Sequence, residues 1–429
     1  MLKRIGYASD TLIEAYHQAY LRRLSKMGFT EEQLSGEFHI PETKIENYEF
    51  LPTIIENEKG EIEMELNFND SKEPLNRYNI WINDVPLFGM TGKSIIYKNT
   101  KSYSTKETVP LITGENRIQV SCMNNAGAES YKETCYVNFT PQGNKKPVLH
   151  LIAIAVSEYQ NLNNLQYAET DARAIVEQFS KSNLYSNIII DTLYGTNANV
   201  SNIEALKSQL LTTDVDDHVI VFYSGHGMHN KEFNYYLGTT NINPLNPSEN
   251  GIPYDLFEWL IDSIPARNKL LLLDACQSGE VAKELKNYTL QTDTAEAEIE
   301  LSMDYNSDVA QVQRKSGLSP TTSYLGLQQS FELMKDLFAD IDKSTGAIVI
   351  SAAGGLNAAF ESNPWGHGAF TFCLLQGLKD NTADANHNGQ ITIGELKTYI
   401  NEEVEKLTKG QQKPTTRTEN LVNDFVIWE

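Results

Sequence analysis

The sequence predicts an α/β fold in which a sheet of mainly parallel strands is flanked by helices and preceded by a small all-β sandwich. The first observation is a set of short, continuous apolar runs that alternate with helical patterns, at 151–156, 187–193, 218–223, 269–275 and 347–353. Strands that are apolar on both faces and joined by helices form parallel sheets covered on two sides. The second observation is that earlier segments alternate apolar and polar residues with a period of two, as half-exposed antiparallel strands do.

The chain divides into three predicted regions. Residues 1–44 place apolar side chains at intervals of three and four, which predicts a helical leader. Residues 45–142 contain alternating stretches such as "EIEMELNFND", with Asn, Asp and Gly between them, which indicates a small immunoglobulin-like sandwich. The segment "TPQGNKKP" is typical of a linker, and residues 148–429 form the α/β domain. The leader is too short to be a domain, so we expect an upstream domain or a recruiting protein as a partner.

Composition excludes several classes of function. The 429 residues carry a formal net charge of -22, which repels phosphate backbones and anionic lipids, so neither nucleic acid nor a membrane is an expected partner. No apolar run approaches the roughly 20 residues of a membrane span, and the first residues lack the apolar core of a signal peptide. These features predict a cytoplasmic protein. A disulfide between Cys122 and Cys135, in a predicted hairpin, is an alternative that a reducing compartment disfavours.

Two of the predicted strands end in residues that can do chemistry. "HVIVFY" runs into Ser-Gly-His226-Gly227, and "KLLLLDA" runs directly into Cys276. Because sites in parallel sheets gather at the carboxyl ends of the strands, we expect this cysteine and histidine at one edge, as a thiol nucleophile and its proton carrier. The flanking glycines allow main-chain N–H groups to approach a substrate carbonyl closely. The amides of Gly227 and Cys276 are the predicted oxyanion hole. Alone, Cys276 could equally be a buried core residue. His229 and His367 lack such a context and are predicted to be loop residues.

These residues carry a family resemblance. "YSGHG", followed about fifty residues later by "LLDACQSG", resembles the caspase and metacaspase family of cysteine peptidases. The resemblance covers about 148–429, with "LIAIAVSEYQNLNNLQYAETDARAI" similar to the first strand and helix of the family and "VISAAGG" to a later strand. It implies a caspase-like sheet and hydrolysis of a protein or peptide substrate through a thioester. Cys276 would be the nucleophile and His226 the proton carrier, with no cofactor required for the chemistry.

One departure from the aspartate-specific caspases concerns specificity. Their signature has Gln two residues before the cysteine, where this chain has Asp274. A carboxylate beside the nucleophile attracts a cationic side chain and repels an acidic one. The resemblance to metacaspases implies that Asp274 and Asp171 line an acidic S1 pocket. Alternatively, Asp171 is only an acidic residue that interacts favourably with the N-terminal end of its helix dipole. We therefore expect cleavage after Arg or Lys.

A long insertion follows the cysteine at 280–346. It is polar, acidic and without clear periodicity, and loops of this length in compact domains are usually functional or disordered. In caspase relatives this place holds the segment that is cut on activation. Here it contains Arg314 and Lys315, the residue types that the predicted pocket accepts, so self-cleavage is expected there. A solvated linker is the alternative.

A further motif lies at 384–395, "DANHNGQITIGE". It matches the ligand positions of an EF-hand calcium loop, which predicts a Ca²⁺ site. Positions 1, 3, 5, 6 and 12 are Asp384, Asn386, Asn388, Gly389 and Glu395. Since only one acid precedes position 12, the expected affinity is weak, and a calcium-free turn is the alternative.

A different class of function stays open beside the peptidase. The same fold could be a catalytically silent scaffold or interaction module that recruits partners through the leader and the sandwich. The presence of both His226 and Cys276 argues against this, because a silent module needs neither. Calcium-dependent adhesion has only the loop at 384–395 to support it.

Overall fold

The computed structural model describes most of the chain. The described residues are 17–18, 20–21, 24–25, 29–34, 39–143, 145–230, 234–275, 312–314, 345–353, 359–416 and 424–429. Of the predicted site residues, Cys276 and Lys315 lie outside these ranges, as does most of the insertion at 280–346.

The first part of the described chain is all-β, as predicted. Its strands are β1 Glu42–Ile45, β2 Ile54–Ile55, β3 Glu61–Asn69, β4 Leu75–Ile82, β5 Val85–Pro86, β6 Lys93–Ser94, β7 Ser102–Pro110, β8 Gly114–Asn124 and β9 Glu133–Phe139. One sheet has the order β1-β3-β7, and the other has the order β2-β9-β8-β4-β5, with β6 paired to β4. Alternate residues of β3, such as Met64 and Phe68, are buried in a core that residues of both sheets share. That alternation is the period-two pattern of the sequence.

The leader contributes little described structure. Residues 17, 18, 20, 21, 24 and 25 are helical, and Glu31–Leu34 is a short 3₁₀ helix. Leu24 and Phe29 pack with Met123 of the sandwich. The boundary set at residue 44 falls inside β1, which pairs antiparallel with β3, so this strand is part of the sandwich sheet.

The second part is an α/β domain. Its strands are β10 Val148–Ala155, β11 Asn187–Tyr194, β12 His218–Gly225, β13 Gly227–His229, β14 Tyr235–Leu237, β15 Ile252–Pro253, β16 Asn268–Ala275, β17 Val312–Arg314, β18 Ile348–Ser351, β19 Phe360–Ser362, β20 His367–Gly368, β21 Ile391–Thr392, β22 Thr415–Thr416 and β23 Val426–Trp428. The main sheet has the order β11-β10-β12-β16-β18-β22. Its strands pair in parallel except β22, which is antiparallel to β18.

Helices cover both faces of this sheet. They are α1 Ala168–Phe179, α2 Val200–Ala205, α3 Lys207–Leu210, α4 Asp255–Ile261, α5 Ala369–Lys379 and α6 Ile393–Leu407. Successive residues of β10 enter opposite cores: Ile152 packs with α2 and α4, whereas Leu151 packs with α1, α5 and α6. This explains why the strands are continuous apolar runs, and it confirms the prediction of a parallel sheet flanked by helices.

The sandwich contacts the α/β domain at the amino ends of the sheet strands. The main-chain N–H of Thr113 donates to Asp216, two residues before β12, at 2.9 Å. The guanidinium of Arg267, immediately before β16, lies 3.4 Å from the carbonyl oxygen of Pro86. The carboxyl ends of the same strands are therefore on the side away from this contact. Among the described residues, no helix is both long enough and apolar enough to cross a membrane.

Candidate active site

The site is built where two neighbouring buried strands end. β12 and β16 pair in parallel along their whole length, and their last pairs are Ser224 with Asp274 and Gly225 with Ala275. His226 comes directly after the paired end of β12. Cys276 comes directly after the paired end of β16 in the sequence, outside the described residues.

The imidazole of His226 has a defined orientation. The residue is 2% exposed, and its Nε2 lies 2.8 Å from the carbonyl oxygen of Asn163. Because a carbonyl can only accept, Nε2 carries the hydrogen in this bond, and the neutral ring keeps its lone pair on Nδ1. The ring also packs against Tyr159, with 4.5 Å between the ring centroids. Nδ1 is therefore the nitrogen that can take a proton.

The main chain of His226 is held as firmly as its ring. Its N–H donates to the hydroxyl of Tyr159 at 2.9 Å, and its carbonyl oxygen accepts from the N–H of Gly238 at 2.8 Å. The hydroxyl of Tyr223 lies 3.0 Å from the carbonyl oxygens of both His226 and Gly238. Burial raises the pKa of Tyr223 well above its ordinary value, so this hydroxyl stays protonated and remains a donor.

Steric contacts that the sequence did not reveal explain why position 225 is a glycine. A Cβ at this position would lie 2.8 Å from the hydroxyl of Tyr159 and closer still to that of Tyr223. Both hydroxyls hold the main chain of His226. The glycine is therefore needed for packing against these two tyrosines.

The substitution Gly225→Ala is expected to lower the free energy of unfolding by about 1–3 kcal/mol, the usual cost of overpacking a core. Denaturant unfolding measures it. Adding Tyr159→Phe removes one of the crowded hydroxyls, so the double variant should recover part of the loss relative to the two single changes. Wild-type stability of Gly225→Ala would contradict this account of the packing.

Asp171 lies at the junction of two helices. It is in the first turn of α1, is 0% exposed, and accepts from the N–H of Gly368 at 3.1 Å. Its Oδ1 is also 2.8 Å from Nδ1 of His367. His367 was expected to be a loop residue; that prediction is wrong, because the residue lies on β20 and contacts this carboxylate.

Asp274 meets the same helix end. It is 0% exposed, and its Oδ2 accepts from the hydroxyl of Thr371 at 2.6 Å. Gly368 is the N-cap of α5 and Thr371 is in its first turn, so both predicted S1 carboxylates are hydrogen-bonded at the N-terminus of α5. The positive end of a helix dipole favours negative charge there.

A short sheet borders this pair of carboxylates. β19 pairs with β20, which carries His367, and on its other side with β17. In that register Arg314 is opposite Phe360. β19 is also tied to the start of α1, because the buried carboxylate of Glu361 accepts from the N–H of Gln166 at 2.8 Å.

The other predicted residues lie on β13 and near the calcium loop. Gly227 begins β13 opposite Leu237. His229, expected in a loop, is buried on β13 with its ring 4.9 Å from that of Tyr235. Of the calcium-loop residues, Asp384, Asn386 and Asn388 lie between α5 and α6, whereas Glu395 lies in the first turn of α6.

The cysteines of the described chain are unsuited to nucleophilic attack. Cys122, Cys135 and Cys373 are buried free thiols, so the alternative of a bridge between the first two is not observed. Burial raises the pKa of Cys122 and Cys135 to about 11 and that of Cys373 to about 12. At neutral pH these side chains are thiols, whereas the nucleophile is a thiolate.

Sequence reasoning missed several of these residues. Asn163, His367, Thr371 and Glu361 act through contacts with residues 63 to 196 positions away in the chain. Asn163 lies in the stretch that resembles the first strand and helix of the family, but no motif or periodic pattern gave any of the four a role in the site. The only local signal was Gly368 before an apolar helical stretch, which indicates a helix start.

The caspase-domain model of peptidase family C14 matches residues 150–426, well over half of the chain. No curated protein matches the sequence. Similar solved structures include protein GSU0716 from Geobacter sulfurreducens, with 14% identity, a TM-score of 0.38 and coverage of 66% of this chain and 94% of that chain. They also include fibronectin(III)-like modules of Clostridium thermocellum CbhA, with 12% identity, a TM-score of 0.18 and coverage of 25% and 54%. These structural similarities are too distant to assign a family. The match to the family model does assign one: the chain belongs to the caspase-domain family of peptidases.

Proposed function

We propose that this caspase-domain protein is a cysteine endopeptidase that cleaves after Arg or Lys, with Cys276 and His226 as its dyad. The observation that carries the proposal is the pairing of Gly225 with Ala275 at the ends of β12 and β16. Since successive Cα atoms are about 3.8 Å apart, each member of the dyad starts one residue beyond this pair. The tautomer of His226, with its lone pair on Nδ1, suits a general base.

The proposed chemistry needs no cofactor. Nδ1 of His226 takes the proton of the Cys276 thiol, and the thiolate attacks the substrate carbonyl carbon. The amides of Gly227 and Cys276 donate to the resulting oxyanion. The carbon–nitrogen bond then breaks as the imidazolium gives its proton to the leaving amine, and water hydrolyses the thioester.

Specificity for basic residues follows from the two buried carboxylates. Asp171 and Asp274 accept hydrogen bonds at the start of α5 from Gly368, Thr371 and His367. The N–H of Gly368 and the hydroxyl of Thr371 are neutral donors, so they orient the carboxylates without cancelling their negative charge. In a poorly hydrated pocket, two such charges attract a guanidinium or ammonium group and repel a carboxylate.

Fluorogenic peptides that differ only at the residue before the reporter group test this function. Wild-type protein should release the reporter from Arg- and Lys-ended peptides, and Cys276→Ala protein should release none. Preference for an Asp-ended peptide would contradict the specificity. Absence of turnover by well-folded wild-type protein would instead favour the alternative, a catalytically silent scaffold. The immunoglobulin-like identity of the sandwich and the cytoplasmic location stay predictions.

We further propose that the enzyme cuts its own insertion after Arg314. β17 adds to the free side of β19 as a third antiparallel strand, the way in which many domains bind extended peptides. The neighbouring strand β20 carries His367 and Gly368, which contact Asp171. Arg314 is the last residue of β17, so a basic residue ends a segment that lies two strands away from the residues that contact Asp171.

Active wild-type protein is therefore expected to convert with time into two fragments that end and begin at Arg314 and Lys315, while Cys276→Ala protein stays whole. Intact-mass spectrometry locates the cut. Arg314→Gln should abolish it, and Arg314→Lys, the matched control, should keep it because the charge remains. A cut that survives Arg314→Gln but is lost in Lys315→Gln would move the site by one residue. Fully active enzyme with no cut between 280 and 346 would contradict self-processing.

A further inference from the structure

We propose that residues 384–395 bind a calcium ion, at a site separate from the proposed catalytic residues. The segment connects α5 to α6, so it is a loop between two helices, as an EF-hand requires. The proposal rests on the ligand positions, on the backbone of the loop and on its unbalanced charge.

The side chains at the ligand positions converge. Asp384, at position 1, accepts from the N–H groups of Asn388 at 3.2 Å and Gly389 at 2.8 Å, which wraps the loop around its carboxylate. Asn386, at position 3, accepts from the N–H of Asn388 through Oδ1 at 3.0 Å. Its Nδ2 lies 2.8 Å from Oε1 of Glu395, at position 12. Positions 1, 3, 5 and 12 are thus linked in series by hydrogen bonds, in which Asn388 takes part through its main-chain N–H.

The backbone has the shape that the motif demands. Gly389, at position 6, has a φ of +84°, which side chains rarely tolerate, and the space beside it is open. Ile391, at position 8, is buried and pairs with Trp428, which anchors the loop to the core. Oε2 of Glu395 accepts from the N–H of Thr392 at 3.0 Å, so the carboxylate is turned back towards the loop.

The charge of the loop lacks a cationic partner. Asp384 is only 6% exposed, and among the described residues neither it nor Glu395 forms an ion pair with Lys, Arg or His. A buried carboxylate with only neutral donors is poorly compensated, and a bound cation would neutralise it.

The type of ligand selects the ion. Two carboxylates, two amide oxygens and a main-chain carbonyl form an all-oxygen set, which suits Ca²⁺ rather than Zn²⁺. Among the described residues, no group of three or more His, Cys, Asp or Glu is placed to hold a metal ion, so the proposed site depends on two carboxylates and on the side-chain oxygens of two asparagines. Mg²⁺ demands a stricter octahedron and gives up its water reluctantly. With one acid before position 12, we expect a dissociation constant of about 10⁻⁴ to 10⁻³ M.

The test uses the full chain with Cys276→Ala, so that self-cleavage cannot interfere and failure of the proposed peptidase function cannot affect the result. Titration calorimetry with CaCl₂ should give one binding site per chain. The melting temperature should rise by about 2–4 °C between EDTA and 10 mM CaCl₂, because the ion binds the folded form. The same concentration of MgCl₂ should give a much smaller rise.

Paired variants make the test specific. Glu395→Gln should lose the calcium response, while Glu402→Gln, the same change at an exposed position of α6, should keep it. Asn388→Asp can still accept from the N–H of Gln390 and adds one charge, so its affinity should increase about tenfold. No calcium-dependent heat or melting shift in either the parent protein or Asn388→Asp would overturn the proposal, as would an equal response to MgCl₂.

Discussion

Replacing Cys276 by Ala, or His226 by Ala, is expected to lower kcat/KM on an Arg-ended peptide by at least about 10³-fold. The nucleophile and the proton carrier act as one unit, so each single change removes most of the catalysis and the double change adds little. The fold should persist, because the hydrogen bonds that fix the main chain at His226 come from Tyr159 and Gly238. Steady-state kinetics together with melting temperatures separate the two effects.

Alkylation provides a second measurement of the same dyad. With pKa values of about 11 to 12, the buried thiols of Cys122, Cys135 and Cys373 hold about 10⁻⁴ thiolate or less at pH 7. Brief treatment with iodoacetamide should therefore modify Cys276 selectively and in step with the loss of activity. His226→Ala should slow the modification, because the proton acceptor is gone.

Cys135→Ala is the matched control for this prediction. It removes a buried cysteine from the sandwich and should leave kcat/KM and the alkylation of Cys276 unchanged. Turnover that survives Cys276→Ala would disprove the assignment of the nucleophile. Equal alkylation of all the cysteines would show that no thiol is activated.

Asp274→Asn should reduce kcat/KM on Arg- and Lys-ended peptides about 10- to 150-fold, the effect of losing a charge-assisted contact worth about 1.5–3 kcal/mol. Asparagine has nearly the same shape and can still accept from the hydroxyl of Thr371, so the melting temperature should change much less than the activity. Asp171→Asn should act in the same direction. Its carboxylate also contacts His367 and Gly368, so we expect a larger effect on stability there.

A citrulline-ended peptide isolates the charge. Citrulline has nearly the shape of arginine without its positive charge, so wild-type enzyme should prefer the arginine peptide strongly. In Asp274→Asn that preference should shrink, and the difference between the two ratios gives the coupling energy. Asp191→Asn, a carboxylate on the edge strand β11, is the control that should leave the preference unchanged. An unchanged preference in both pocket variants would mean that neither carboxylate recognises the charge.

Much of the fold could be predicted from the apolar pattern. The run predicted at 187–193 is β11 at Asn187–Tyr194, and the run at 269–275 lies within β16. β16 was predictable because the sheet buries both its faces, which leaves a continuous apolar signal. β11 is an edge strand with no fully buried residue, and there the signal was its run of three isoleucines. β22, Thr415–Thr416, has no apolar residue and pairs antiparallel through its backbone, so no feature of its sequence predicted a strand.

The candidate site was only partly predictable. The rule for strand carboxyl ends predicts that His226 and Cys276 lie at one edge, and the paired ends of β12 and β16 agree with it, although Cys276 itself lies outside the described residues. Asp171 could be placed only through a resemblance, and its contact with His367 joins residues 196 positions apart. A contact of that kind depends on how α1 and α5 pack, which the local pattern of either helix does not encode.

Helix α5 connects the two buried carboxylates, Asp171 and Asp274, to the loop at 384–395. Its first turn contacts Asp171 and Asp274, and its last residue, Lys379, lies five positions before Asp384. Its 11 residues span about 16 Å, so a tilt of about 5° about one end would displace the other end by about 1.4 Å. Misplacement by about 1 Å can cost a catalyst about a hundredfold in rate. If Asp171 and Asp274 form the proposed S1 pocket, a substitution at the far end of α5 that tilts the helix is expected to alter cleavage without touching a substrate.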